Sequence, residues 1–366
     1  MGGQEMVVDE LARQLQQLGH TVVLLCPEQP PALKAFDQDY PYRILRHPRF
    51  FSQRWFINRR VGILKRLYHE FRYDVIHCHN VYPAGYLAVR HKLEGGPPVV
   101  ITSHGGDVRS NNPRFQKRSV RAKHSFAVKQ ANALISIGPF TEQGYLELGG
   151  TTPFIHAITN GVHAEQLSLP VARPDTIPEY LAPKNYILFV GRLAYRKGVD
   201  ILLKAAAIQS NASSHMPHVV IAGDGDQRAS LESLSVALGL QQRVTFLGMV
   251  YGPIKQWLLQ NALTLVIPSR QWEAYPMVLL EGYAAGCSVV ASDVPGLNIL
   301  VDHNKTGWLV PHEHPVALAE RLTTLWQNPV MTQTVAEQSQ HIARRCDWKR
   351  VAEQHVLLYQ SVTRLR

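Results

Sequence analysis

Apolar positions along this chain follow two spacings, one typical of helices and one typical of buried strands. Met6–Leu18 carries apolar residues at helical spacing and is followed by Gly19, which suits a helix C-cap. Thr21–Cys26 is an almost continuous apolar run, as in a buried parallel strand. Further runs of strand length, each followed by a helical segment, are Asp74–Cys78, Pro98–Thr102 and Ala133–Ser136. Strands that alternate with helices predict βαβ units and a parallel sheet.

The second half of the chain repeats this alternation and places a glycine or polar turn after each strand. These turns contain Gly191, Gly223, Gly248 and the pair Pro268-Ser269. Doubly wound α/β sheets bind ligands at the carboxyl ends of their strands. The turns are therefore candidate binding positions.

The 366 residues are enough for two domains of ordinary size. We predict a first Rossmann-like domain over residues 1–165 and a polar, proline-rich linker over 166–183. A second Rossmann-like domain is expected over 184–345, followed by an amphipathic helix over 346–366.

Four charged residues in the second half suggest a chemistry. Arg192 and Lys197 follow the turn at Gly191, and a planar guanidinium together with a compact ammonium suits a diphosphate. Glu273 and Glu281 stand eight positions apart, on a loop and on the helix after it. Carboxylates accept hydrogen bonds from vicinal hydroxyls, and a helix N-terminus offers free N–H groups to a phosphate. The alternative is a loop glutamate and a solvated helix glutamate.

Taken together and in this order, the motifs resemble those of the retaining glycosyltransferases of family 4, the group 1 glycosyl transferases. The resemblance covers residues 2–360 and is strongest over 158–310. It implies the GT-B fold, an α/β architecture of two Rossmann-like domains whose parallel sheets face a central cleft, with the final helix crossing back. The matching positions are Val190-Gly191-Arg192, Lys197-Gly198, Gly223-Asp224-Gly225, Gly248, Pro268-Ser269, Glu273 and Glu281.

The resemblance also implies a role for each matching residue. Arg192 and Lys197 would neutralise the nucleotide diphosphate, Glu281 would bind the ribose hydroxyls, and Glu273 would lie beside the donor sugar. His104, in the loop after the strand that ends at Thr102, would lie near the sugar hydroxyls, although a lone histidine is more often structural or exposed. The remaining donor-binding positions are Gly2, Gly3, Gly191, Gly248, Val250, Pro276, Met277 and Val278.

The implied function is a retaining glycosyltransferase that moves a sugar from a nucleotide-sugar donor to a polysaccharide or lipid-linked saccharide acceptor. Cations would take the place of a metal, and no cofactor is expected because the nucleotide-sugar is a substrate. A non-catalytic nucleotide- or sugar-binding protein on the same fold is the alternative. An NAD-dependent enzyme is disfavoured, since no G-x-G-x-x-G follows a strand.

The start of the chain departs from the family pattern. The family has a glycine loop such as Gly2-Gly3 after its first strand, but here no strand precedes it. Either the sequence starts late, which we favour, or the first domain lacks a central strand. A missing central strand would leave two unpaired sheet edges.

His77 and His79 flank Cys78, and strand alternation places both histidines on one face. A metal site would need a third ligand that the sequence does not identify. We therefore favour packing and support of the loop.

The formal net charge is +10, from 38 Lys+Arg against 28 Asp+Glu. Basic and aromatic residues interleave between positions 43 and 66, and a second basic group lies between 109 and 123. This mixture fits an anionic membrane surface. A solvated face is the alternative, and nucleic-acid binding is not expected because no recognition motif is present.

The four cysteines, Cys26, Cys78, Cys287 and Cys346, have no metal-type spacing, which favours thiols in a reducing compartment. No apolar run approaches the roughly 20 residues that cross a bilayer, and the N-terminus lacks a signal-peptide pattern. We expect a cytoplasmic protein, and the inner face of the membrane is the surface it would meet.

Overall fold

The computed structural model describes residues 3–28, 35–48, 56–109, 112–212 and 216–364. The chain forms two compact units, the first from Met1–Gly161 together with Trp348–Arg366 and the second from Val162–Asp347. The predicted α/β architecture with parallel sheets is confirmed, because all pairs between strands of the described residues are parallel. Residues 166–183, expected as a linker, belong to the second unit.

The first unit contains two parallel sheets, one with the order β1-β2 and one with the order β3-β4-β5-β6. Among the described residues, β1 pairs only with β2, and β3 pairs only with β4. The four residues of β4 and of β5 are all buried, as their continuous apolar character predicts. The elements are α1 (Gly3–Gln17), β1 (Val23–Pro27), β2 (Arg43–His47), α2 (Phe56–Phe71), β3 (Ile76–Cys78), α3 (Tyr86–Leu93), β4 (Val99–Thr102), α4 (Arg118–Gln130), β5 (Ala133–Ser136), α5 (Pro139–Glu147), β6 (Ile155–Ala157) and α14 (Trp348–Arg364).

The last helix, α14, packs against α1 in the first unit. The two helices present apolar stripes at the three- and four-residue spacing that keeps side chains on one helix face. Trp348, the first residue of α14, lies against Gly161. A Cβ atom on Gly161 would lie 2.3 Å from the ring of Trp348, so only glycine fits. The buried residues of the two helices are Val7, Leu11, Ala12 and Leu15 on α1 and Trp348, Val351, Ala352, His355, Leu358 and Val362 on α14.

The second unit is built on one six-stranded parallel sheet with the order β12-β11-β10-β7-β8-β9. Its central strand β7 is apolar and almost wholly buried, and helices cover the sheet. The elements are α6 (Ala164–Ser168), β7 (Tyr186–Val190), α7 (Val199–Ala212), β8 (His218–Ala222), α8 (Arg228–Ala237), β9 (Val244–Gly248), α9 (Gly252–Asn261), β10 (Thr264–Ile267), α10 (Met277–Ala284), β11 (Val289–Asp293), α11 (Leu297–Leu300), β12 (Trp308–Pro311), α12 (Pro315–Gln327) and α13 (Pro329–Arg345).

Cys26, Cys78, Cys287 and Cys346 are free thiols. Within the described residues, no helix is both long and apolar enough to cross a membrane.

Candidate functional site

The turns after β7, β8 and β9 lie against one another at the carboxyl edge of the second unit's sheet. The N–H of Gly191 donates to the carbonyl of Ala222, and the N–H of Gly223 donates to the carbonyl of Gly248 at 2.7 Å. A Cβ atom on Gly223 would lie 1.8 Å from the carbonyl oxygen of Gly191, so the turns can approach this closely only with glycine. Gly191 and Gly248, both predicted from sequence, are thus neighbours of the same glycine.

Glu273 lies in the loop between β10 and α10, and its buried carboxylate is surrounded by donors. Lys197 Nζ lies 2.6 Å from Glu273 Oε1, Ser269 Oγ donates to the same oxygen at 2.7 Å, and Arg196 Nη1 is 3.4 Å away. Burial alone would raise the pKa of Glu273, but the charges of Lys197 and Arg196 and the hydrogen bonds from Lys197 and Ser269 lower it below its ordinary value. Burial, only partly offset by Glu273, lowers the pKa of Lys197. The pair is therefore a buried, hydrogen-bonded ion pair.

The backbone of Glu273 is held as firmly as its side chain. Its N–H donates to the carbonyl of Pro295 at 3.0 Å. Gly296 has a φ of +95°, and a Cβ atom there would lie 1.7 Å from the carbonyl oxygen of Glu273. This close contact, like the left-handed backbone, requires glycine, and it fixes the position of the carboxylate.

Glu281 lies on α10 and pairs with a residue that the sequence did not indicate. Lys255 Nζ on α9 is 2.6 Å from Glu281 Oε1, and both side chains are largely buried. Helix α10 begins after Pro276, so Met277 and Val278 are in its first turn, where backbone N–H groups have no acceptor within the helix. Glu281 and these N–H groups thus belong to one short element, as predicted.

Arg270 is a second residue that sequence reasoning missed. Its guanidinium makes two hydrogen bonds to Asp200, at 2.6 and 2.7 Å, and a third to Glu313 at 2.8 Å. It lies over the ring of Tyr195, and its own N–H donates to the carbonyl of Arg196. The hydrogen bonds that Arg270 donates to Asp200 raise the pKa of Arg270. Arg270 therefore connects the loop of Lys197 to the loop of Glu273, which no local motif reveals.

The other predicted donor positions of the second unit have less defined surroundings. Arg192 is exposed on the loop after Gly191. Gly248 has a φ of +72°, and Arg228 Nη1 lies 3.3 Å from where its Cβ atom would be. Val250, in the same turn, is half-buried. Their roles in binding a donor stay predictions.

In the first unit, His104 follows β4 and is half-buried. Its Nε2 lies 3.2 Å from Nδ1 of His79, and burial lowers the pKa of His104 to about 4. Gly3 is the first residue of α1, whereas Gly2 lies outside the described residues. Across the ranges that the structure describes, no three His, Cys, Asp or Glu side chains are grouped to hold a metal ion.

The basic and aromatic group between 43 and 66 is described only in part. Its residues 49–55 lie outside the described residues. On α2, Lys65 pairs with Glu94 at 2.7 Å. The second basic group has exposed side chains at Arg114, Lys117, Arg118 and Arg121.

Comparisons with known proteins agree over nearly the whole chain. A family model described as Glycosyltransferase Family 4 matches residues 1–166, and one described as Glycosyl transferases group 1 matches residues 176–342. An uncharacterised glycosyltransferase of Methanocaldococcus jannaschii is 26% identical, over 98% of this chain and 94% of its own. A phosphatidyl-myo-inositol mannosyltransferase of Mycobacterium leprae is 29% identical, over 79% of this chain and 74% of its own.

The solved structures show the same fold. HepE of Anabaena in complex with UDP has a TM-score of 0.82 and 21% identity, and the match covers 98% of this chain and 96% of HepE. Its complex with UDP-glucose has a TM-score of 0.79. At this identity the likeness shows the GT-B fold alone.

Proposed function

This chain belongs to the family 4, group 1 glycosyltransferases, and from that premise we propose a retaining enzyme that uses a nucleotide-sugar donor. The acceptor we propose is a polysaccharide or a lipid-linked saccharide. The complexes of HepE with UDP and UDP-glucose support this kind of donor, and the name of the mycobacterial mannosyltransferase supports a lipid-linked acceptor. We propose no cofactor and no metal for the transfer.

The observation that carries the proposal is the buried cluster of Lys197, Glu273 and Ser269, whose Glu273 lies in the loop that leads into α10. A cation such as Lys197 and a helix N-terminus such as that of α10 both stabilise the negative charge that grows on a departing diphosphate. Arg192, exposed on the same loop as Lys197, would add a second positive charge. This electrostatic stabilisation is the work that a metal ion does in other transferases.

Two further parts of the donor have candidate partners. Glu281 would accept hydrogen bonds from the ribose hydroxyls through the carboxylate oxygen that Lys255 leaves free. Gly248 and Val250 would line the base pocket, while Met277 and Val278 would offer N–H groups to sugar or phosphate. His104 of the first unit would meet the sugar hydroxyls.

In the proposed reaction the acceptor oxygen attacks the anomeric carbon on the face that the diphosphate leaves. The bond from the anomeric carbon to the phosphate oxygen breaks as the new glycosidic bond forms, and that phosphate oxygen takes the acceptor's proton. No protein nucleophile is needed, so the configuration is retained without a covalent intermediate. Water must be excluded, since it would otherwise hydrolyse the donor.

The proposal is tested by donor binding and turnover. We expect one of the UDP-, GDP- or ADP-sugars to raise the melting temperature, because a ligand that binds only the folded state stabilises it. With that donor, release of the nucleoside diphosphate should persist in the presence of a chelator. It should fall at least ~100-fold in Arg192→Ala and Glu273→Ala, by the usual size of such electrostatic losses. Binding without transfer to any acceptor would instead indicate a non-catalytic binding protein.

We further propose that the enzyme is cytoplasmic and works at the inner face of the membrane, which its first unit contacts through α4. This helix contains no acidic residue, and the exposed side chains at its start include Lys117, Arg118 and Arg121. Lysine and arginine near an anionic surface contribute about 1 kcal/mol each to binding. A solvated basic face without a partner is the alternative.

Vesicle sedimentation distinguishes these possibilities. Arg118→Glu/Arg121→Glu should weaken binding to phosphatidylglycerol vesicles about 30-fold, the equivalent of about 2 kcal/mol, and high salt should release the wild-type protein. The control with the same charge change is Arg344→Glu/Arg345→Glu, at exposed positions of α13 in the second unit. Equal binding by both variants, or equal binding to neutral phosphatidylcholine vesicles, would contradict the proposal.

A further inference from the structure

Four histidines lie close together in the first unit, and the proposed transfer reaction uses only one of them. His77 is on β3, His79 follows that strand, His104 follows β4, and His355 is on α14. The rings of His77 and His79 are 4.3 Å apart between centroids, and those of His77 and His355 are 5.6 Å apart. The cluster therefore connects the final helix to the loop that carries His104.

His77 is fixed at both ring nitrogens. Its Nδ1 lies 2.7 Å from the hydroxyl of Tyr359 on α14, and its Nε2 lies 2.7 Å from the hydroxyl of Thr102 at the end of β4. Both hydroxyls can donate or accept, so either tautomer of His77 is satisfied. Because both nitrogens are hydrogen-bonded, the ring of His77 cannot turn without breaking a hydrogen bond. It therefore gives the ring of His79 a fixed packing surface.

His79 is fixed on its other side as well. Its backbone carbonyl accepts a hydrogen bond from the side chain of Gln4 on α1 at 2.8 Å. Its ring lies nearly parallel and edge to edge with that of His104, with an angle of 19° between the planes and 5.4 Å between the centroids. Nδ1 of His79 then forms the 3.2 Å contact with Nε2 of His104.

A hydrogen bond between two neutral imidazoles needs one N–H and one bare nitrogen. Burial lowers the pKa of both His79 and His104, which keeps the two rings neutral at pH 7. The bond therefore couples their tautomers, because the ring that donates must carry its proton at the shared contact. It also occupies Nε2 of His104, so Nδ1 is the ring nitrogen left for a ligand.

We propose that His79 is a positioning residue that holds His104 in one orientation and one tautomer, so that Nδ1 of His104 meets the hydroxyl of the donor sugar. This inference rests on the proposed function, in which His104 contacts the sugar. His77, Tyr359 and Thr102 hold His79 in turn, so the last helix of the chain supports the site through the cluster. A misplaced or tautomer-averaged His104 would lose its sugar contact while the nucleotide still binds.

The test combines imidazole nitrogen NMR with kinetics on the full chain. In the wild type, the ¹⁵N shifts of His104, assigned with His104→Gln, should show one neutral tautomer. In His79→Phe, which keeps a ring but no hydrogen bond, they should move towards the average of two tautomers. In His79→Phe we expect kcat to fall ten- to a hundredfold. The affinity for the free nucleoside diphosphate, which lacks the sugar, should stay unchanged. His79→Gln, which keeps a polar partner, should recover part of the loss.

His124→Phe is the matched control, since His124 is a buried histidine of the same unit whose Nδ1 bonds within its own helix, to Val120. It should change neither the His104 shifts nor kcat. If His79→Phe leaves the shifts and kcat unchanged, the inference is wrong while the proposed function stands. If the wild type turns over no donor, the proposed function fails. If His104→Gln has the same kcat as the wild type, His104 makes no sugar contact that matters for turnover, and this inference is wrong.

Discussion

Replacing Lys197 by methionine is expected to reduce kcat about 100- to 1000-fold and to destabilise the second unit by about 3 kcal/mol. The loss of rate follows because the ammonium would no longer stabilise the departing diphosphate. The loss of stability follows because Glu273 would keep a buried charge without its closest cation, 2.6 Å away. Ser269 and Arg196 still contact the carboxylate, which keeps the loss at the lower end of the range for broken buried pairs.

The double variant Lys197→Met/Glu273→Gln separates the two effects. Without either charge, no buried ion is left unpaired, so stability should return to within about 1 kcal/mol of the wild type. The rate should stay low, because the cation is still missing. The control is Lys204→Met, which should change neither quantity. The side chain of Lys204 is half exposed, and its partner Asp200 keeps its ion pair with Arg270. Urea unfolding and donor turnover measure both quantities, and recovery of the rate in the double variant would show that Lys197 acts only on stability.

The sequence predicts the strands well because each is a compact apolar run. The predicted Ala133–Ser136 coincides with β5, and Pro98–Thr102 differs from β4 by one residue. The sequence also predicts the glycine turns, since a glycine directly after a buried apolar run indicates a turn. What the contacts add is the reason for Gly223, whose hydrogen atom faces the carbonyl of Gly191.

Partners within the site were not predictable in the same way. The family resemblance predicts Lys197 at the diphosphate and Glu273 beside the sugar, and the structure shows that the two side chains also bind each other. Lys255 and Arg270 carry no motif, because their partners Glu281 and Asp200 are distant in sequence and meet them only through the packing of helices and loops. A charge inside an amphipathic helix, such as Lys255, has the same sequence signature whether it faces solvent or a buried carboxylate.

The histidine cluster illustrates a third case. Strand alternation places His77 and His79 on one face, and their rings are neighbours in the structure. The predicted role in packing and loop support did not include His355 or Tyr359, which come from the far end of the chain. Only the packing of α14 in the first unit brings them together.

Acidification from pH 7 to pH 4.5 is expected to destabilise the first unit steeply, and His355 alone should account for about 2 kcal/mol of this loss. Burial lowers the pKa of His355 to about 4, against 6.5 for an ordinary histidine. Between these values the unfolded chain binds a proton that the folded chain does not, so stability falls as pH falls through this window. His77, His79 and His104, whose pKa values burial also lowers, add in the same direction. The hydrogen bond from Lys65 lowers the pKa of the Glu94 carboxyl of the same unit, and its contribution is lost mainly below about pH 4.5.

The variant that isolates this effect is His355→Leu. Its ring is hydrogen-bonded to the carbonyl of Val351 one turn earlier, so leucine removes the titrating group and keeps the apolar contacts of α14. Calorimetry at pH 7, 6, 5 and 4.5 measures the free energy of unfolding. Relative to the wild type, that of the variant should rise by about 2 kcal/mol as the pH falls across this range. His341→Leu, at an exposed position of α13 in the second unit, is the control and should follow the wild type. If the two stability curves run parallel, the folded protein protonates His355 as readily as the unfolded chain does. The burial of His355 and the neighbouring ring of His77 argue against that outcome.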